Sequence, residues 1–260
     1  MQINAFAIYL HTSLLALTGC WWPMMNTRLA IISLVTLCFS APSFAGIVMG
    51  GTRLVYPTDK KEVQLQIKNR DEGISHLIQS WIVDKDEKKA PFVITPPLFK
   101  LEAGKATLLH VIYTGKKGVL PEDRETLFWM NVKSVGATTE EQENKNMLQL
   151  AIKTRIKLFW RPTKLNNNAA HSAWESLTFT RSNNRLNVTN PTPYHVSLSS
   201  LTVNGKALAS DDNSKPAAVT MMIAPFASNS YPLPAGAGNN VSWSAINDYG
   251  GTTSVKTGTF

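Results

Sequence analysis

The chain has 260 residues, a formal net charge of +8 at pH 7 and two cysteines. The length suggests one or two domains. Because both cysteines, Cys20 and Cys38, precede residue 46, thiol catalysis and zinc–thiolate sites are excluded from the rest of the chain.

The first 45 residues predict a cleaved export signal rather than part of the fold. Arg28 supplies a basic segment, Leu29 to Phe39 is an apolar run, and Ala45 ends a small-residue cleavage site. The apolar run is too short to span a membrane with flanking stop signals, so no membrane insertion is expected after cleavage. The sequence therefore predicts an exported protein that begins at Gly46.

The segment before this signal has two interpretations. Residues 1–24 contain no Lys, Arg, Asp or Glu and lack a basic start, which favours Met25 as the true initiator. Against this, Leu17 to Cys20 resembles a lipoprotein cleavage box. We therefore treat residues 1–45 as an N-terminal extension plus signal peptide.

The charge balance of the exported part suggests an anionic partner. Arg28 is the only charged residue before residue 46, which leaves 25 Lys and Arg against 18 Asp and Glu. In a cytosolic protein this excess would favour nucleic acid. In an exported protein it favours an acidic or carboxylate-bearing partner, or a solvated basic surface, and no nucleic acid is expected.

Short segments of alternating apolar and polar residues predict a first all-β unit over residues 46–163. Gly50-Gly51 predicts a bulge or a change of sheet inside the first segment, and Pro96-Pro97 excludes a central strand there. The strands predicted before the last one are Ile47 to Tyr56, Val63 to Ile67, His76 to Asp84, Phe92 to Ile94, Ala106 to Thr114 and Thr126 to Val132.

The last predicted strand of this unit, Met147 to Pro162, is unusually long. Its alternation holds for about fourteen residues, or roughly 45 Å at ~3.3 Å per residue, whereas strands usually have about 3–10 residues. One face carries the apolar residues Leu148, Leu150, Ile152, Ile156, Leu158 and Trp160. We therefore expect part of this apolar face to lack a partner within its own sheet.

A second all-β unit is predicted over residues 164–260, after a linker from Pro162 to Ala170. The five tryptophans after residue 46, Trp174 among them, all fall in predicted strands and are expected in the cores. The predicted strands are Trp174 to Thr180, Arg185 to Asn190, Tyr194 to Val203, Val219 to Ile223, Asn239 to Ile246 and Thr252 to Thr257. The two units together predict an all-β fold of two sandwich domains.

The exported part shows no sign of an enzyme, a metal site or a cofactor. Its four histidines are scattered without metal-ligand spacing, and no nucleophile elbow or phosphate-binding glycine loop is present. A Ser-His-Asp catalytic triad formed by residues far apart in the sequence stays an alternative, but no motif indicates one. Arg53 and Lys157, each an ordinary surface charge alone, could together line a cleft that suits a carboxylate.

Six motifs in order carry a resemblance to a known family. They are Thr52-Arg53, Ile94 to Pro97 with Leu101 to Gly104, Leu120 to Phe128, Ile156 to Pro162, Asn190 to Tyr194, and Ile246 to Gly251. Over Gly46 to Phe260 the chain resembles the PapD-like periplasmic chaperones of the chaperone–usher pathway, which assemble pili and fimbriae.

This resemblance implies two immunoglobulin-like β-sandwich domains in an L or boomerang arrangement, located in the periplasm. It also implies a function: the chaperone binds and caps pilus subunits that lack their last strand, by donor-strand complementation, and delivers them to an outer-membrane usher. By position, the groove-filling residues of the lent strand are Leu148, Leu150 and Ile152, and the cations that hold the subunit's C-terminal carboxylate are Arg53 and Lys157.

The resemblance further implies ion pairs between the domains, formed by Glu125, Arg161 and Asp248, with a structural role. The loop before the long strand is similar to that of the short-loop branch of the family. An unoccupied strand edge could also pair with a second copy of the chain. The alternative to a chaperone is a secreted immunoglobulin-like adhesin or binding module, which would not depend on Leu148 or Lys157.

Overall fold

The computed structural model describes residues 46–137 and 148–260. The predicted export signal, Met147 and most of the loop before the long strand lie outside these residues. The described residues form one compact unit. Within them, no helix is long and apolar enough to cross a membrane.

The first sandwich consists of two facing sheets. One has the strand order β1-β3-β7-β5 and the other β2-β9-β8-β4-β6. Their strands are β1 (Ile47–Met49), β2 (Arg53–Pro57), β3 (Val63–Asn69), β4 (His76–Val83), β5 (Phe92–Thr95), β6 (Leu98–Leu101), β7 (Ala106–Tyr113), β8 (Thr126–Gly136) and β9 (Ala151–Arg161).

The chain changes from one sheet to the other at Gly50 and Gly51. Of the two structures predicted there, a bulge or a change of sheet, the second is the one observed. β1 before them pairs antiparallel with β3, and β2 after them pairs parallel with β9. The Gly50 amide donates to the Gln66 carbonyl at 2.7 Å, and a Cβ at Gly50 would lie 3.1 Å from that oxygen. Glycine permits this close approach of two backbones.

The core of the first sandwich is formed by alternate residues of both sheets. Ile67 and Leu109 from one sheet and Ile78, Met130 and Leu158 from the other are fully buried. Pro96-Pro97 separates β5 from β6, and each of these strands is the edge of its sheet. The double proline thus lies where a backbone N–H is not needed for a central ladder, as predicted.

The second sandwich has a core of its own, in which Leu186, Leu201, Ile223 and Val241 are buried. One sheet has the order β10-β11-β15 and the other β13-β12-β16-β17, with β14 also paired to β12. The strands are β10 (Thr178–Ser182), β11 (Arg185–Thr189), β12 (Val196–Val203), β13 (Lys206–Ala207), β14 (Met222–Ile223), β15 (Ser228–Pro232), β16 (Asn240–Ala245) and β17 (Lys256–Thr259).

Several sequence-based assignments in the second unit are wrong. The predicted linker runs into a helix, Asn167–Ser172, capped by the Asn166 side chain, and Trp174 lies in the 3₁₀ helix Ala173–Ser176 rather than in a strand. Trp174 is nevertheless buried in the core. A short helix, Ala217–Thr220, takes the first two residues of the strand predicted from Val219, and only Met222–Ile223 is a strand there. Tertiary burial rather than a two-residue period selects these conformations.

Other differences concern strands that carry little apolar signal. β6 and β15 were not predicted, because the first follows two prolines and the second, S-N-S-Y-P, is mostly polar. β17 begins at Lys256, later than the predicted Thr252, which forms an isolated bridge with Ile246. Short segments of this kind form strands because neighbouring strands pair with them, and their own residue pattern does not predict it.

The long strand is shorter than its alternation predicted. β9 pairs with β8 from Ala151, opposite Val135, to Trp160, and β8 ends at Gly136. Leu148 to Leu150 therefore continue the alternation without belonging to a strand. The alternation of apolar residues therefore begins before the first residue of β9 that pairs with another strand.

The two ends of this apolar row are expected to respond differently to truncation. Leu158→Ala should lower the free energy of unfolding by about 2.7–5 kcal/mol, because it leaves a cavity in a fully buried position. Leu148→Ala, at an exposed position of the same row, should change it by less than about 0.5 kcal/mol. Urea denaturation of both variants measures the difference. Equal losses would show that Leu148 belongs to the chain's own core.

Candidate functional site

An exposed apolar row lies at the start of β9. The side chains of Leu148, Leu150 and Ile152 are 83%, 69% and 60% exposed. Ile156 and Leu158, on the same face of the segment, are buried in the first core. A single alternating row thus passes from solvent into the protein interior within ten residues of chain.

The backbone beside this row is also open. β2 pairs with β9 only from Lys157 to Arg161, whereas β8 covers the other side from Ala151 onward. Within the described part of the chain, residues 151–156 therefore have no strand partner on the side where β2 would continue. An open edge next to exposed apolar side chains is the geometry that accepts a strand from another chain.

Two cations lie where this open edge ends. Arg53 and Lys157 are direct partners in the parallel pairing of β2 and β9, so their side chains project from the same face of the sheet. They are only 8% and 7% exposed. Among the described residues, neither forms an ion pair within 4 Å.

The contacts of these cations are with neutral groups of the second sandwich. The Lys157 Nζ donates to Ser197 Oγ at 2.8 Å, and an Arg53 Nη donates to the Ile246 carbonyl at 2.9 Å. The Arg53 guanidinium also lies over the Phe159 ring at 5.7 Å, and its buried Nε has no hydrogen-bond partner in the part of the chain that the structure describes. Sequence reasoning identified the two cations but missed both of their partners: Ser197 lies in a strand without a distinctive signal, and Ile246 begins a family motif but takes part through its backbone carbonyl, which residue type does not reveal.

The local electrostatics favour an incoming anion. Burial, and secondarily the charge of Arg53, lowers the pKa of Lys157 to about 7. Burial also lowers the pKa of Arg53, against the opposing charges of Asp248 and Glu125. Both shifts reflect the cost of holding two cations in a poorly solvated site. A carboxylate placed here would relieve that cost through charge-assisted hydrogen bonds.

The three residues expected to form ion pairs do come together. The Arg161 Nε donates to Glu125 Oε1 at 2.7 Å, and its two terminal nitrogens donate to the Asp248 carboxylate at 2.8 and 3.1 Å. Burial acts to lower the pKa of Arg161, but hydrogen bonds to Asp248 and the charges of both carboxylates outweigh it and raise the pKa. Arg161 and Glu125 belong to the first sandwich and Asp248 to the second, so the cluster joins the two.

His195 extends this cluster and was not predicted. Its backbone amide donates to Glu125 Oε2 at 2.8 Å, and its Nδ1 lies 3.3 Å from the same oxygen. The Glu125 amide in turn donates to the Pro193 carbonyl at 2.9 Å. The position of His195 next to the Asn190 to Tyr194 motif was the available signal. In the described ranges, no group of three His, Cys, Asp or Glu side chains is arranged to hold a metal.

Comparison with known proteins identifies the family. Residues 46–166 match the model described as "Pili and flagellar-assembly chaperone, PapD N-terminal domain", and residues 172–257 match "Pili assembly chaperone PapD, C-terminal domain". The chain is 37% identical over 229 residues to the chaperone protein FimC of Escherichia coli, covering 88% of this chain and 90% of FimC.

Two solved structures are similar along most of the chain. The Escherichia coli chaperone DraB has a TM-score of 0.68 and 35% identity, covering 83% of this chain and 98% of DraB. The Salmonella enterica SafB chaperone, solved in complex with the SafA pilin, has a TM-score of 0.69 and 29% identity, covering 85% and 99%.

These matches confirm the all-β, two-domain fold expected from the sequence. Proteins of this family are folding and assembly factors, so the expectation that the chain is not an enzyme is also confirmed. The resemblance inferred from the six motifs is confirmed at the level of the family. The chain belongs to the PapD family of pilus-assembly chaperones.

Proposed function

We propose that this chain is a periplasmic chaperone that caps a pilus subunit by lending it the segment Leu148 to Ile152. The observation that carries the proposal is the exposed apolar row, which lies beside an open strand edge and ends at two buried cations. A subunit that lacks one strand would find in this segment both the missing backbone partner and the missing core side chains. The solved complex of a chaperone with a pilin supports the class of partner.

The apolar row supplies much of the binding free energy. Each of Leu148, Leu150 and Ile152 is mostly exposed in the free chain. Full burial contributes roughly 1.5–3 kcal/mol per side chain, less the entropy lost on association. Backbone hydrogen bonds along residues 151–156 add to this. No nucleotide is needed, because the chaperone would act stoichiometrically and release the subunit when another strand replaces its own.

Arg53 and Lys157 fix the register of the bound subunit. We infer that they bind its C-terminal carboxylate, which replaces the neutral contacts to Ser197 and Ile246 or joins them. A strand that slipped by one residue would turn its apolar side chains to the wrong face. An anchor at Lys157, five residues beyond Ile152, therefore determines which subunit side chains meet the row.

The buried ion pairs have a structural role in this proposal. Arg161 holds Glu125 and Asp248 at hydrogen-bond distance and so keeps the second sandwich against the first. This contact places Ser197 and Ile246 next to the two cations. The cluster would thus shape the cleft without contacting the subunit.

The remaining expectations belong to the same proposal. Residues 1–45 are an extension and signal peptide, and residues 46–163 and 164–260 are the two domains. The protein is located in the periplasm, like the periplasmic chaperone SfaE among the solved relatives, and delivers its subunit to an outer-membrane usher. The loop between β8 and β9 is of the short type, and the open edge of β9 is also able to pair with a second copy of the chain.

Charge placed in the apolar row should abolish capture without unfolding the chaperone. Leu150→Glu puts a carboxylate where a subunit core is expected, whereas Gln149→Glu puts the same charge on the adjacent, opposite-facing position. Co-expression with a cognate pilin and pull-down should show loss of complex for the first variant and normal yield for the second. A large fall in the melting temperature of Leu150→Glu would contradict the assignment of this residue to the partner's core.

Truncation of either cation should weaken capture more than truncation of a nearby surface lysine. Arg53→Ala and Lys157→Ala each remove charge-assisted hydrogen bonds worth about 1.5–3 kcal/mol, or roughly 10- to 100-fold in affinity. Lys153→Ala, at an exposed position on the same face of β9, is the control. A normal yield of subunit complex from both cation variants would refute the anchor.

The stability of the free chaperone should rise with pH above neutrality because of Lys157. The folded state loses the Lys157 proton near a pKa of about 7, and the unfolded state keeps it up to the ordinary value of 10.5. Below pH 7 both states are charged and the folded state carries the full cost of burial. Between pH 7 and pH 10.5 the unfolded state binds more protons than the folded state. The free energy of unfolding therefore increases by at most roughly 1.4 kcal/mol per pH unit over this range.

Chemical denaturation of Lys157→Met across this pH range tests the assignment. The variant should be more stable than the parent at pH 6, and its advantage should shrink as the pH rises toward 10. Lys153→Met, which removes an exposed charge, should leave the pH dependence unchanged. Parallel curves for the parent and Lys157→Met would show that Lys157 is not the group responsible.

A further inference from the structure

A second recess lies at the opposite end of β9 from the apolar row. It has a volume of about 710 Å³ and opens between the turn after β2, the loop after β7 and the chain that follows β9. Tyr56 and Trp160 form its buried floor, and the partly exposed Tyr113 and Leu120 form its walls. We call this recess the basic cleft.

The rim of the basic cleft is strongly cationic. Five lysines line it, two from the turn after β2, two from the loop after β7 and one from the segment after β9: Lys60, Lys61, Lys116, Lys117 and Lys164. Of the described residues, two acids, Asp59 and Glu122, also line it. Glu122 is engaged with Lys164 at 2.6 Å and has its pKa lowered by that hydrogen bond. Four lysines therefore face a shared recess without an ion-pair partner among the described residues.

The structure of the recess is maintained by its own hydrogen bonds. The Tyr56 hydroxyl donates to the carbonyls of Lys60 and Lys61 at 3.1 and 3.0 Å and accepts from the Tyr113 amide at 3.2 Å. These bonds tie the turn that carries two of the lysines to the aromatic floor. The end of the Tyr113 side chain packs directly against Gly115, so the loop after β7 lies against the aromatic wall. The aromatic surface and the charges are thus held in a common arrangement.

The chemistry of the basic cleft specifies an anion that carries an apolar group. Cations from three separate segments can contact several negative charges at once, and aromatic and aliphatic walls can bury a side chain between them. A free phosphate would not use the apolar walls. A membrane surface fits poorly, because Tyr56 and Trp160 are recessed and do not project as membrane-binding aromatics do.

We propose that the basic cleft binds an acidic peptide segment with an aromatic or aliphatic side chain, contributed by a partner protein other than the capped subunit. Trp160 lies eight residues beyond Ile152 along β9, or roughly 26 Å at ~3.3 Å per residue. It projects from the face opposite to Lys157. A subunit whose chain ends at Lys157 would leave the basic cleft unoccupied. This statement rests on the proposed function, in which Lys157 binds the end of the subunit. The loaded chaperone can then bind both partners together.

The test uses the purified chain and a short peptide in which one tryptophan lies between acidic residues. Titration followed by amide NMR should shift signals of residues 58–61, 113–120 and 160–164, with saturable binding. Replacing the peptide's tryptophan by alanine, or the chaperone's Lys60 and Lys116 by glutamate, should weaken binding at least about tenfold, because like charges then face each other. The matched control is Lys68→Glu with Lys105→Glu, which makes the same charge change at exposed positions outside the cleft.

Several outcomes would overturn the proposal. They are an equal loss of binding in the control variant, equal binding of the alanine peptide, full competition by inorganic phosphate, and tighter cleft-dependent binding of phosphatidylglycerol vesicles. Thermal melts of both double variants establish that they fold. Arg53→Ala should keep peptide binding, and the cleft variant should keep subunit capture, so a failure of this proposal and a failure of the proposed function give different results.

Discussion

The incomplete pairing of β9 is the constraint on which the rest of the molecule depends. β8 covers this strand along its length, but β2 covers only its second half, from Lys157 onward. The sheet change at Gly50-Gly51 is the reason, because the chain before it is committed to the other sheet. Half of β9 is therefore an interior strand and half is an open edge, and the apolar row continues across both.

An open apolar edge is a liability that the molecule must tolerate while unoccupied. The face of β9 opposite the apolar row carries Lys153 and Arg155, which lie over the rings of Trp81 and Trp129 at 5.6 and 4.4 Å. Charges on the edge strand keep water around the backbone and disfavour unselective pairing. The same positions would leave the apolar face free for a partner whose strand reaches the anchor.

The two buried cations and the buried ion pairs are related by proximity but differ in charge balance. Arg161 is surrounded by two carboxylates and has its pKa raised, whereas Lys157 donates to the neutral Ser197 hydroxyl, and burial together with the nearby charge of Arg53 lowers its pKa to about 7. Among residues 46–137 and 148–260, the first cluster therefore has its counter-charges and the second has none. This asymmetry is the physical basis for proposing that the ion pairs are a structural contact between the sandwiches and that the two cations would bind an anion.

Much of the fold of the first sandwich and of the candidate site could be predicted from the sequence. β-Strands with one buried face have a two-residue period of apolar side chains, and this period can be recognised in the sequence alone. The alternation of Leu148 to Trp160, the glycine pair at the sheet change and the edge position of Pro96-Pro97 all follow from local rules. Local rules failed at Trp174 and at β15, where packing against the second core selects the conformation and the residues themselves have no strong preference.

The sequence by itself determined the all-β class, the two units, the apolar row and the identity of the two cations, because each depends on residue type and spacing along one segment. The tertiary structure alone decided that the row is exposed only as far as Ile152, that Arg53 and Lys157 are register partners, and that five lysines gather around an aromatic recess. These facts depend on which distant strands pair and where each pairing stops. Pairing limits are set by the whole sheet, and no single segment encodes them.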